Sequence, residues 1–88
     1  METLCMFLTL SSLVAPQVVF IGPPQPWKNE SECVRALPKM EGAVARLIRY
    51  DAAALNLFGT TMGGAINPSY FVSSSECRAV GEFGLGPT

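Results

Sequence analysis

The sequence predicts a small, mainly α-helical protein with an apolar N-terminal segment, and three observations lead to this fold class. Residues 4–21 contain no charged side chain, as is typical of segments that enter membranes. Three prolines follow within 22–28, and two short helical patterns occupy 30–37 and 41–58. A small α+β domain is the alternative, in which the apolar runs are strands covered by the longer helix.

These boundaries divide the 88 residues into four parts. They are an apolar signal or anchor segment over 1–21, a proline-rich linker over 22–28, a small helical module over 29–80 and a flexible, irregular, glycine-rich tail over 81–88. A chain of this length holds at most one small domain, and its core is marginal without a covalent crosslink.

The composition argues against several classes of function. Six basic and seven acidic residues give a net charge of −1, which lacks the basic excess of a general nucleic-acid-binding protein. There is no histidine, so the commonest general base and the commonest metal ligand are both missing. Three cysteines occur without a Cys-x-x-Cys pair, which disfavours the usual zinc and redox motifs. We expect no cofactor, no metal, no catalytic residue and no nucleic-acid partner.

The apolar segment 4–21 has two membrane interpretations. As a signal peptide it would be cut after Ala15, although no basic residue precedes it and Pro16 follows the cut. As an uncleaved anchor it is about the minimum length that spans a bilayer, and the basic residues after it would keep the C-terminal part in the cytosol. We predict the membrane or the secretory pathway as the location, with the cytoplasm as the alternative.

The linker contains a pattern found in peptide ligands. Pro23, Pro26 and Lys28 fit Pro-x-x-Pro-x-Lys, which docks in the aromatic grooves of SH3-type domains because the polyproline II helix is formed in advance. A plain stiff spacer is the alternative. The ligand role requires a cytosolic location.

Asn29 begins an Asn-Glu-Ser sequon, the acceptor sequence for N-glycosylation in the secretory pathway. The same residue is a candidate N-cap for the helix over 30–37, with Glu32 three residues later. We favour the cap, because a glycosylated amide has lost some of its freedom to cap. Pro38 is expected to end or kink this helix.

The pattern over 41–58 predicts an amphipathic helix that ends before Gly59. Its apolar face is a candidate contact surface, either for the preceding helix or for a partner protein. The face consists of Val44, Leu47, Ile48, Leu55 and Phe58. Asp51 interrupts it, and we predict that the helix breaks at Tyr50 and that Asp51 caps a new turn.

Cys33 and Cys77 are a candidate disulfide. The pair would close a long loop, which the chain-entropy model values at about 4 kcal/mol. The bond requires a lumenal or extracellular chain, whereas free thiols are expected in the cytosol. Beyond the helices, 60–64 predict a turn with two glycines at positive φ, and 69–73 predict one short strand.

No motif in the sequence identifies an activity. We expect a small non-catalytic polypeptide, membrane-anchored or secreted, that acts through protein–protein contact and touches the membrane through 4–21. The alternatives are a soluble α+β binding domain and the product of a short open reading frame without a defined activity. An enzyme is disfavoured, because no candidate nucleophile has a general base within reach.

Overall fold

Residues 1–79 are described by the structure, a computed structural model, and they form a small α+β domain. The elements are β1 (Glu2–Ser11), β2 (Val18–Ile21), β3 (Gln25–Trp27), α1 (Glu30–Phe58), β4 (Thr60–Met62) and β5 (Phe71–Ala79). The five strands form one antiparallel sheet, and α1 packs on one of its faces. The predicted tail over 81–88 lies outside the described residues.

The prediction of a mainly α-helical protein with two helices and a separate apolar segment is wrong. The apolar residues 4–21 form β1 and β2, which pair as a hairpin across the turn at 12–17. The α+β alternative is the architecture found. Within 1–79, no helix is both long enough and apolar enough to cross a membrane.

β1 is the central strand of the sheet. β5 pairs with residues 4–11 along one edge of β1, and β2 and β3 pair in succession along the other edge. An unbroken apolar sequence suits a strand that is buried on both faces. Leu8 and Leu10 are 0% exposed on the helix side, while Cys5 and Phe7 are 2% and 4% exposed on the opposite side.

α1 runs as one helix through Pro38, so the prediction of two separate helices at this point is wrong. Pro38 removes one backbone hydrogen bond, but the residues that α1 buries against the sheet stay in phase on both sides of it. They are Cys33, Leu37, Val44, Ile48, Ala52 and Leu55. Their common burial against one sheet compensates for the proline and keeps the helix continuous.

The predicted N-cap and the predicted break of the helix are both present. The side-chain Oδ1 of Asn29 accepts a hydrogen bond from the backbone N–H of Glu32 at 3.0 Å. This bond satisfies one of the free N–H groups of the first turn. At Asp51 the backbone is non-helical, with φ −160° and ψ 68°, so α1 consists of two helical stretches that meet at this residue.

Hydrogen bonds fix the long connection between β4 and β5 to the rest of the domain. The Asn56 side chain donates to the carbonyl oxygen of Ile66 at 3.3 Å and accepts from the backbone N–H of Ile66 at 3.0 Å. The Tyr70 hydroxyl donates to the carbonyl oxygen of Pro16 at 2.5 Å. These contacts bring the chain back to the hairpin, where β5 begins its pairing with β1.

We expect Leu8→Ala to lower the free energy of unfolding by about 2–5 kcal/mol, because it leaves a cavity beside the central strand. Leu13→Ala is the matched control, since Leu13 is 96% exposed and its truncation should change stability by less than about 0.5 kcal/mol. Urea unfolding followed by circular dichroism measures both. Equal losses in the two variants would contradict the placement of β1.

Candidate protein-contact surface

The structure divides the predicted contact face between the core and the surface. Val44, Ile48 and Leu55 are 2%, 4% and 2% exposed and pack against the sheet. Leu47 is half-buried at the edge of this core, and Phe58 is 62% exposed. Three of the five side chains are thus part of the domain's own core, and Phe58 is the member of the face most accessible to a partner.

Phe58 lies between two grooves. The first, of about 210 Å³, lies between α1 and the connection 22–24, and the second, of about 400 Å³, lies on the other side of that connection. The first groove is lined by Phe20, Gly22, Pro23, Gln25, Met40, Ala43, Val44, Leu47, Leu55 and Phe58, and the second by Cys5, Ile21, Gly22, Pro23, Pro24, Phe58, Gly59 and Thr60. None of these residues is charged. We call Pro23, Phe58 and the two grooves the Phe58 surface.

Gly59 positions Phe58 at this surface. A Cβ atom at Gly59 would clash with the carbonyl oxygen of Ile21, so the end of α1 approaches β2 more closely than another residue allows. The chain then enters β4 directly, with Thr60 paired to Ile21. The glycine was predicted as the end of the helix, but its contact with β2 depends on the tertiary structure.

The proline motif is divided between the sheet and the Phe58 surface. Pro26 lies in β3, opposite Thr3 of β1, and Pro23 lines both grooves. Lys28 is exposed after the strand. Because the middle of the motif is a paired strand, docking in an SH3-type groove would require β3 to leave the sheet.

Cys33 of α1 and Cys77 of β5 are joined as a disulfide, with their Cα atoms 6.3 Å apart. The bond links the first half of the helix to a strand that pairs directly with β1. Cys5 is a free, buried cysteine. Burial raises the pKa of the Cys5 thiol, which keeps it protonated and therefore a poor nucleophile.

The remaining candidates are a metal site and the polar residues Asp51 and Asn29. No group of three or more histidine, cysteine, aspartate or glutamate side chains is placed to hold a metal ion within 1–79. Asp51 is exposed rather than buried in the apolar face of the helix. Asn29 is exposed as well, and its glycosylation, the alternative to the cap, is not tested by the structure.

Comparison with known proteins identifies no relative. No family model matches the chain, and neither a curated protein nor a solved structure matches it.

We expect the double replacement of Cys33 and Cys77 by serine to lower the free energy of unfolding by about 4 kcal/mol, because the unfolded chain regains the freedom of a 44-residue loop. Thermal unfolding with and without a reductant measures the effect. The reductant should lower the melting temperature of the natural chain and leave the double variant unchanged. A natural chain that is insensitive to the reductant would show that the two cysteines are not bonded.

Proposed function

We propose that this chain is a small non-catalytic binding domain, which holds an extended apolar segment of a partner protein at the Phe58 surface. The observation that carries the proposal is the 62% exposure of Phe58 between two grooves without charged lining residues. A large aromatic side chain that loses its contact with water on binding contributes strongly to affinity.

The chemistry of the grooves favours an apolar occupant. A charged ligand group would lose its hydration there without gaining an ion pair. An apolar side chain on either side of Phe58 would instead remove further apolar surface from water. Leu57, which directly precedes Phe58, is 87% exposed and extends the apolar character of this end of α1.

The position of β4 favours an extended segment. β4 ends the sheet on this side, and none of the strands within 1–79 pairs with its outer edge. An extended peptide can add to such an edge through backbone hydrogen bonds while its alternate side chains fill neighbouring pockets. The end of β4 nearest Phe58 is Thr60, which also lines the second groove.

The disulfide supports a location in an oxidising compartment, because bonds of this kind are rare in the cytosol. Entry into that compartment cannot involve a cut after Ala15 if the fold is to be kept, since the cut would remove β1 (Glu2–Ser11). The non-catalytic part of the proposal is supported by the lack of histidine and by the burial of Cys5.

Peptide selection tests the Phe58 surface. We would select peptides from a random phage-displayed library on the oxidised chain and measure their affinities by calorimetry. Selected peptides should be rich in large apolar residues, and Phe58→Ser should weaken their binding by about tenfold or more, as expected of a central aromatic anchor.

Phe71→Ser is the matched control for this experiment. Phe71 is 51% exposed and lies at the start of β5, away from both grooves. Its replacement should leave peptide affinity unchanged. If polar or charged peptides dominate the selection, or if the two variants weaken binding equally, the Phe58 surface is not the binding site.

A further inference from the structure

The outward side of α1 carries a stripe of basic residues, on the side of the helix opposite its buried residues. At 100° per residue, Arg35, Lys39, Arg46 and Arg49 fall within about 80° of one another around the axis and span about 21 Å along it. Tyr50 lies beside them at 75% exposure. We call these five residues the basic stripe. They include four of the six basic residues of a chain whose net charge is −1.

Most of the charge on the stripe is not neutralised within the domain. Arg35 approaches Glu32 at 3.9 Å, and both side chains are largely exposed, so this pair contributes little. In the region 1–79, no ion pair is formed by Lys39, Arg46 or Arg49. Glu41 faces the sheet instead, where its carboxylate accepts a hydrogen bond from the Ser75 hydroxyl.

We propose that the basic stripe binds a short acidic segment of a partner protein. The stripe is short, and at its first turn Arg35 already lies 3.9 Å from the Glu32 carboxylate. At physiological salt, charges are screened beyond about 8 Å. A short acidic segment bound along the stripe therefore interacts electrostatically with the stripe and with few other charges of the domain. A nucleic acid or an anionic bilayer extends beyond the stripe, which is about 21 Å long, and meets the rest of the chain, whose charges are net negative because the stripe holds four of its six basic residues.

The residue types in the stripe also fit a protein partner. Arginine and tyrosine are enriched among the residues that dominate protein–protein affinity, and the guanidinium group matches a carboxylate with two parallel hydrogen bonds. Arg46, Arg49 and Tyr50 surround a shallow groove of about 350 Å³ with Ala45. A partner carboxylate placed in this groove would contact both arginines, while its backbone passes over the small side chain of Ala45.

Fluorescence anisotropy with a labelled oligoglutamate tests the proposal on the full, oxidised chain. Binding should weaken as salt increases, and Arg46→Glu should weaken it about tenfold. Lys28→Glu is the matched control, because it changes the net charge by the same amount away from the stripe. It should change the affinity by less than about twofold. Circular dichroism checks that both variants keep the fold.

Vesicles of phosphatidylcholine with phosphatidylserine, and a DNA duplex, are titrated in parallel at the same salt. The acidic-segment proposal predicts that both bind more weakly than oligoglutamate and that Arg46→Glu has its largest effect on oligoglutamate. Tighter binding of the vesicles or of the duplex would assign the stripe to that partner and overturn the proposal. Equal losses of oligoglutamate affinity in Arg46→Glu and Lys28→Glu would show that only the net charge of the chain matters, and would also overturn the proposal.

Discussion

Backbone pairing along both edges of β1 is the constraint on which the rest of this domain depends. β5 occupies one edge and β2 with β3 the other, so one edge of β1 stays without its backbone partners until the last described strand has returned. α1 covers the distance between them and buries one face of the sheet. The Cys33–Cys77 bond joins this helix to β5 and so limits how far the two can separate in the unfolded chain.

α1 has different roles on its two sides. Its inner side packs on the sheet and forms much of the core. The buried residues lie on the same side of the helix before and after Pro38, and their burial keeps the helix continuous through the proline. Its outer side carries cations that the domain does not neutralise, and its C-terminal end presents Phe58 beside Pro23. The basic stripe lies on the helical stretch before Asp51 and Phe58 on the stretch after it, so one element can present two chemically different contact surfaces to one partner or to two.

Local chemistry made several features predictable. Asn29 caps the helix because a side-chain oxygen satisfies a free N–H group wherever a helix begins at such a residue. Asp51 interrupts the helix, and Gly63 and Gly64 take positive φ in the turn after β4, as single residues of these types favour. The strand predicted over 69–73 is present only in part. β5 runs from Phe71 to Ala79. Its serine-rich middle lacks the alternating apolar residues by which a strand is predicted.

The sequence by itself determined where the helix starts and where its backbone is interrupted, since these properties depend on side chains within a few residues of one another. The tertiary structure decided that 4–21 would be strands, because an apolar run satisfies its backbone equally well as a helix or in a sheet. That choice depends on pairing with β5, far along the chain. It also decided that Val44, Ile48 and Leu55 are core while Phe58 is surface, because the position of the sheet against α1 sets which of these side chains it covers.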